Sequence, residues 1–231
     1  YHAGTARGYS DLGLFTCDEQ IGKDLTELFN YLTTGYRPKR EYGKLLPAPK
    51  IMKPAILEKI EREIEHARAG EPALIQLKLN ALEDPDVSAA LYEASRAGVR
   101  VDLIVRDTCR LRPGIEGLSE NIRVISVLGQ FLEHARIYYF RIAGDEDSSI
   151  GSADAMRRNL KNRVELLAPV EDAGLQLVLR SILDTQLNDQ RQAWEMRPDG
   201  SYEQLLPGVD GEEIGCHERF IQAAHERNFE A

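Results

Sequence analysis

One histidine of this sequence stands out by its neighbours. His134 precedes a β-prone run, and Arg136 follows it two positions later; a Gly-Ser pair, Gly151-Ser152, then ends the next short predicted strand, with Glu165 further on. A neutral imidazole can attack or hydrogen-bond a phosphoryl group, a cation binds its oxygens, and the backbone N–H groups of a Gly-Ser turn donate to them. This combination of residue types is typical of phosphoryl transfer.

The beginning of the chain echoes this pattern. Gly4-Thr5 is followed by Asp11 and an apolar run, as Gly151-Ser152 is followed by Glu165 and an apolar run. The step from glycine to acid is 14 positions in the second copy (151 to 165) but 7 in the first (4 to 11), so we expect a loop of the first copy to be deleted or to lie outside this sequence. Two such half-sites are typical of a pseudo-twofold α/β enzyme with a shared cleft.

Helices and strands alternate in the region that must position these residues. Periodicity and capping residues predict helices over residues 18–32, 54–69, 85–97, 171–193 and 217–228. Runs rich in β-branched and aromatic residues predict strands over 73–79, 99–105, 122–128, 136–142 and 164–168. The alternation favours an α/β domain with a mixed or parallel sheet and a core over roughly 50–195. We expect a linker over 33–50 and a turn-rich segment over 196–215.

Local signals support the helix boundaries. Asp18 and Asp84 are suitable N-caps, because a short side-chain oxygen can accept the free N–H groups of the first turn. Ile56, Ile60 and Ile64 recur at helical spacing and predict one face that packs on a core.

Composition excludes several classes of protein. The chain has 231 residues, of which 42% are hydrophobic and 29% charged, as in ordinary soluble domains, and its length allows one or two domains. No stretch approaches the ~18 consecutive apolar residues of a membrane span, so no transmembrane segment is predicted. Cys17, Cys109 and Cys216 are widely spaced, which excludes a disulfide scaffold and a CxxC metal site and favours a reducing compartment.

The charge is distributed unevenly along the chain. The formal net charge is −9, which argues against a general nucleic-acid binder. Residues 106–163 nevertheless hold 10 basic against 8 acidic side chains, a net charge of +2, and nine of the ten are arginine. Because guanidinium groups bind phosphate oxygens in a bidentate manner, this segment is a candidate for binding a polyanion.

Four segments together resemble one known family: residues 1–16 (YHAGTARGYSDLGLFT), 76–82 (QLKLNAL), 103–125 and 131–167. They resemble the C-terminal half of the long, histidine-phosphorylated polyphosphate kinases, whose last two domains are similar to phospholipase D. The resemblance implies an α/β fold, with a mixed sheet flanked by helices. It also implies that residues 1–48 end a first phospholipase D-like domain and that residues 49–231 form the second.

The resemblance implies a function as well. Polyphosphate kinases reversibly transfer the γ-phosphate of ATP to inorganic polyphosphate through a phosphohistidine, which would lie upstream of Tyr1; the chain alone is therefore expected to be inactive. Expected partners are ATP or ADP, polyphosphate and further copies of the chain, with no nucleic acid. Mg²⁺ would accompany ATP, with its ligands outside this sequence, and no metal ligands are predicted here. The expected location is the cytoplasm, including the membrane periphery.

The same resemblance assigns roles to individual residues. Tyr9 matches a nucleotide-contacting tyrosine and Arg106 a phosphate-contacting arginine. His134 matches a second essential histidine, a nucleotide contact that donates or accepts a proton. Asp11 would orient the upstream nucleophilic histidine by accepting its ring N–H. Further contacts to polyphosphate are expected from a polar set: Lys78, Arg136, Ser152, Arg157, Arg158 and Arg163.

Two other functions stay open. Where the family has GTGNYN-x-KTAR this chain has GTAR, and Asp107 and Ala155 stand where the family has Gly and usually Trp. These departures favour a non-catalytic module that binds polyphosphate or nucleotide. A phospholipase D-like phosphodiesterase would need two HxK motifs, whereas His134 and Arg136 form a single HxR.

Overall fold

The fold is described from a computed structural model, which covers residues 2–35, 41–142, 145–208 and 214–229. The helices are α1 (Ala3–Ala6), α2 (Glu19–Thr34), α3 (Met52–Arg68), α4 (Pro85–Arg96), α5 (Arg157–Asn162), α6 (Ala173–Leu187) and α7 (Cys216–Phe229). The strands are β1 (Tyr9–Ser10), β2 (Leu46–Ala48), β3 (Leu74–Leu79), β4 (Arg100–Val105), β5 (Ile122–Val127), β6 (Leu132–Glu133), β7 (Ile137–Ile142), β8 (Asp145–Gly151), β9 (Glu165–Val170), β10 (Ala193–Met196) and β11 (Tyr202–Gln204).

Nine of these strands form one mixed sheet, in the order β11-β10-β5-β4-β3-β7-β8-β9-β2. The central strands β3, β4 and β5 are parallel, and every other neighbouring pair is antiparallel. The remaining strands, β1 and β6, form a separate parallel pair. The predicted α/β fold with a mixed sheet is confirmed.

Helices cover both faces of the sheet, because side chains alternate along each strand. Leu103, Tyr138 and Phe140 pack with α3 and α4 on one face, whereas Ile104 and Tyr139 pack with α6 and the start of α7 on the other. The predicted stripe of Ile56, Ile60 and Ile64 is almost fully buried against the first face. Full burial of one such side chain contributes about 1.5–3 kcal/mol.

Two predicted helix starts are confirmed by side-chain caps, whereas the helix predicted from residue 54 begins at Met52 without one. The Asp18 carboxylate accepts from Ile21 N at 2.8 Å, and the Asp84 carboxylate accepts from Val87 N at 3.1 Å. The helix predicted over 171–193 ends at Leu187 instead, because Asp189 Oδ1 accepts the backbone N–H of Arg191 and Ala193 and turns the chain into β10.

Several short elements lie where sequence periodicity predicted none, and three of them show why. Leu46–Ala48, in the expected linker, forms edge strand β2 against β9. Tyr202–Gln204, in the turn-rich segment, pairs with β10. Arg157–Asn162 forms the single-turn helix α5. Elements this short have too few residues to show a period, so only their tertiary partners define them. Within the described ranges, no helix has the length and apolar character needed to cross a membrane.

Candidate active site

His134 lies directly after β6, at a cleft that β1 helps to form. Its Nδ1 is 2.8 Å from Asp11 Oδ2, and its ring meets the Tyr9 ring edge-on, with centroids 5.5 Å apart. The parallel pairing of β1 with β6 explains this meeting, since it aligns Tyr9 with Leu132 and so brings residues 11 and 134 to the same strand end. Asp11, expected to orient a histidine outside this sequence, therefore has His134 as a partner.

Arg136 and Asp154 form a charged pair behind the imidazole. Arg136 Nε and Nη2 lie 3.2 and 3.1 Å from the two carboxylate oxygens of Asp154, a fork-shaped contact. Arg136 Nη1 also donates to the carbonyl oxygen of His134 at 2.9 Å. Because the side chains of Arg136 and Asp154 are only 13% and 7% exposed, this pair positions the imidazole and its charges largely balance each other.

The hydrogen-bond partners of the His134 ring show which of its nitrogens carries the proton. Arg136 Nη1 is 3.3 Å from His134 Nε2, and a guanidinium N–H can only donate. Nε2 therefore accepts, and in the neutral ring the proton lies on Nδ1, where it is donated to Asp11. Nε2 can receive a proton when this Arg136 N–H turns to another acceptor, and the Asp11 carboxylate would stabilise the imidazolium that forms.

Asn80 and Arg106 extend this network along the carboxyl ends of β3 and β4. The backbone N–H of Asn80 donates to Asp154 Oδ1 at 2.7 Å, and Arg106 Nε donates to Asn80 Oδ1 at 3.2 Å. Adjacent parallel strands end at the same sheet edge, so Arg106 and His134 are linked through three side chains.

The Gly-Ser pair closes the other side of the cleft. Ser152 Oγ donates to Glu165 Oε2 at 2.5 Å and accepts from Leu166 N at 3.2 Å. A Cβ on Gly151 would lie 2.0 Å from the Leu166 carbonyl oxygen, so only glycine lets β8 approach β9 here. Asn159 Nδ2 donates to Glu165 Oε1 at 2.7 Å, which fixes the carboxylate.

These groups surround a cavity of about 340 Å³. Its polar lining comes from Asp11, His134, Arg136 and Ser152, and Leu12, Leu14 and Ile150 supply most of the apolar wall. Sequence analysis had placed the histidine, the cation and the Gly-Ser turn in one site, and the structure brings them together.

The other predicted phosphate contacts differ in their exposure to solvent. Arg157, Arg158 and Arg163 are exposed, and Arg163 Nη1 lies 3.9 Å from Glu165. Lys78 is 2% exposed, and its ammonium is 2.5 Å from Glu133 Oε2. The Lys78 ammonium is thus paired with a carboxylate inside the protein, and its contact with phosphate stays a prediction.

Two residues of the network were missed by sequence analysis. Asp154 lies two positions after Ser152, and Asn80 follows the strand that ends at Leu79. Their position at strand ends was the available signal. The predicted repeat also has no common local structure, since Gly4-Thr5 lies in helix α1 whereas Gly151 ends strand β8.

The donor set for a metal ion is incomplete in this part of the protein. Among the described residues, no group of three or more His, Cys, Asp or Glu side chains is arranged to hold a metal ion. The described residues therefore do not by themselves form a magnesium site.

Comparisons with known proteins point to a single family. Family models described as polyphosphate kinase C-terminal domains 1 and 2 match residues 1–38 and 45–213. The chain is 54% identical over 217 residues to the polyphosphate kinase of Thermosynechococcus vestitus and 51% identical over 207 residues to that of Pseudomonas aeruginosa. It spans 30% of the length of each relative.

A solved structure shows the same architecture. The crystal structure of polyphosphate kinase from Porphyromonas gingivalis superposes with a TM-score of 0.90 at 38% sequence identity, covering 96% of this chain and 34% of that one. The second domain model alone matches well over half of the chain. The chain therefore belongs to the polyphosphate kinase family.

Proposed function

We propose that this chain is the C-terminal part of an ATP–polyphosphate phosphotransferase. The reaction is the reversible transfer of the ATP γ-phosphate to inorganic polyphosphate through a phosphohistidine that lies upstream. The observation that carries the proposal is the imidazole of His134, held between Asp11 and Arg136 in a cleft. The names of the relatives supply the substrate class.

In this proposal, His134 moves a proton and Asp11 positions it. A bound phosphate oxygen would take over the Arg136 N–H, and Nε2 of His134 would then exchange a proton with the phosphoryl group or the leaving phosphate while Asp11 keeps the ring in place. Tyr9 lies against the same ring and would contact the nucleotide, and Arg106 at the end of β4 would bind phosphate oxygens.

Exposed arginines would bind the polymer. Arg157, Arg158 and Arg163 are exposed around α5, close in sequence to Ser152. Mg²⁺ bound with the nucleotide, a homo-oligomeric state, a cytoplasmic location and a domain boundary near residue 48 belong to the same proposal.

Replacement of His134 tests the function. In the intact protein, His134→Ala should lower the rate of polyphosphate synthesis from ATP at least about 100-fold, because general acid–base catalysis contributes ~10²–10⁴-fold. His66→Ala is the matched control: His66 pairs with Glu71 near the beginning of β3, away from the cleft, and should keep the wild-type rate. An unchanged rate in His134→Ala would refute the assigned role.

The same assay distinguishes the kinase from the alternative function, a non-catalytic binding module. A wild-type protein that binds ATP or polyphosphate but transfers no phosphate would be a binding module, as the short GTAR segment favours. Measurement of the intact mass completes the test. A mass far above 26.0 kDa is expected for a kinase with an upstream nucleophile.

A further inference from the structure

The strand pair that carries the cleft residues is too short to hold itself in place. β1 and β6 have two residues each, and backbone bonds from Leu132 N to Gly8 O (2.8 Å) and from His134 N to Ser10 O (3.1 Å) join them. Isolated two-stranded pairs are only marginally stable in water. The alignment of Asp11 with His134 therefore depends on contacts from elsewhere in the fold.

Glu133 supplies such contacts from the side opposite His134. Neighbouring residues in an extended segment point to opposite sides, so Glu133 turns inward and is 3% exposed. Its Oε2 is 2.5 Å from Lys78 Nζ on β3, and its Oε1 is 2.7 Å from His217 Nε2 on α7. One carboxylate thus ties β6 both to the central sheet and to the C-terminal helix.

The charge of Glu133 is kept in spite of its burial. Burial by itself would raise the pKa of this carboxyl, but the hydrogen bond from His217 and the charge of Lys78 outweigh that effect and lower the pKa to about 2. Glu133 is therefore ionised at neutral pH. Loss of either partner would leave a buried carboxylate incompletely matched, which is strongly unfavourable.

His217 forms hydrogen bonds with two residues that precede His134, Phe131 and Glu133. The backbone N–H of Phe131 donates to Nδ1 of His217 at 3.3 Å, so Nδ1 accepts and the ring is neutral with its proton on Nε2. That proton is donated to Glu133. The ring is 1% exposed and also contacts the Phe131 ring, with centroids 5.4 Å apart.

We infer that His217 is a positioning residue for His134, acting through Glu133; this inference rests on the function proposed above. The C-terminal helix then takes part in aligning His134, although it does not line the cavity between His134 and Ser152. The domain model of the family ends at residue 213, before α7 begins at Cys216. A misplacement of about 1 Å at a reacting group can lower a rate by roughly 100-fold.

Two conservative variants separate the contacts of His217. The amide of His217→Gln is long enough to donate to Glu133, whereas the shorter His217→Asn can accept from Phe131 but does not reach Glu133. In the intact protein we expect the kcat for polyphosphate synthesis to fall by about 30–100-fold in the Asn variant and by about threefold or less in the Gln variant. KM for ATP should change less than kcat in both variants, because the inferred effect is on the position of His134.

Controls distinguish positioning from folding. His225→Asn, on the exposed side of the same helix, should keep the wild-type kcat. Equal kcat values for the wild-type protein and His217→Asn, or equal losses in both His217 variants, would overturn the inference. So would a loss of kcat that occurs only together with loss of the folded state, since it would limit His217 to stability. A wild-type protein without transferase activity would instead refute the proposed function itself.

Discussion

The pair of Asp11 and His134 joins residues 123 positions apart, and its chemistry follows from which atoms donate. Arg136 can only donate and the Asp11 carboxylate can only accept, so the two neighbours allow one neutral tautomer of the ring. The Asp154 carboxylate in turn holds Arg136. Asp154 orients Arg136, and Arg136 and Asp11 together orient the imidazole of His134. The ring therefore keeps Nε2 as its proton-accepting atom although it is partly accessible to solvent.

Replacement of Asp11 by asparagine tests this arrangement. Asp11→Asn keeps the size of the side chain but removes the charge that would stabilise the imidazolium, so we expect kcat to fall by about 100-fold or more. Steady-state kinetics of polyphosphate synthesis would measure this change. Asp184→Asn, an exposed position on α6 whose carboxylate is 4.0 Å from Arg180, is the control and should leave kcat unchanged. Wild-type kinetics in Asp11→Asn would contradict the assigned contact.

Helix α2 and strand β2 are joined by one buried carboxylate. Asp24 on α2 is 1% exposed and accepts from the backbone N–H groups of Gly43, Lys44 and Leu45 at 2.8–3.1 Å. Burial raises the pKa of Asp24, but these hydrogen bonds outweigh it and the pKa lies below its usual value. Asp24 thus fixes the segment that enters the edge of the main sheet.

Removal of this carboxylate should destabilise the protein in a pH-dependent manner. Asp24→Ala leaves buried N–H groups without partners, and we expect a loss of about 3 kcal/mol in the free energy of unfolding at pH 7. Because the folded-state pKa is lowered, the contribution of Asp24 is present above its unfolded pKa of about 3.9 and is lost as the pH falls through the folded-state pKa.

Urea denaturation at pH 7 and at pH 3 would measure both effects. The difference between wild-type and Asp24→Ala should be smaller at the lower pH. Asn30→Ala, exposed on the same helix, should change stability by less than about 0.5 kcal/mol. A difference that grows as the pH falls would contradict the role of Asp24.

Acidic and basic side chains are unevenly distributed along the chain. Residues 164–231 hold 5 basic and 14 acidic side chains, a net charge of −9, whereas the preceding segment 106–163 has a net charge of +2. A polyanion would therefore be attracted to α5 and to the segment that follows β4, and repelled by the C-terminal third. This distribution is consistent with the proposed polyphosphate site.

The salt dependence of polyphosphate binding tests the exposed arginines. Binding that neutralises phosphates releases counterions, so the logarithm of the affinity should fall linearly with the logarithm of the salt concentration. Replacing Arg157 and Arg158 together by glutamine should make this slope shallower by about 1–2, as two fewer charges are engaged. Arg96→Gln, whose guanidinium pairs with Glu93 on α4, should leave the slope unchanged. An unaltered slope in the double variant would exclude these arginines from the site.

Local signals in the sequence were sufficient for most of the regular structure. The spacing of Ile56, Ile60 and Ile64 and the cap at Asp84 act within one helix, and the β-branched runs of β3, β4 and β5 act within one strand. His134, Arg136 and Ser152 were also recognisable, because the strand ends that carry them are close in sequence. The family resemblance added Tyr9, Asp11 and Arg106.

The pairings that complete the site depend on the three-dimensional path of the chain. Asp154 meets Asn80 across 74 positions, His217 meets Glu133 across 84, and Lys78 pairs with the same Glu133. Helical period and capping are properties of consecutive residues and can be read from them. A buried charge finds its partner only when the sheet order is set, so the residue types alone could not show that Lys78 pairs with Glu133.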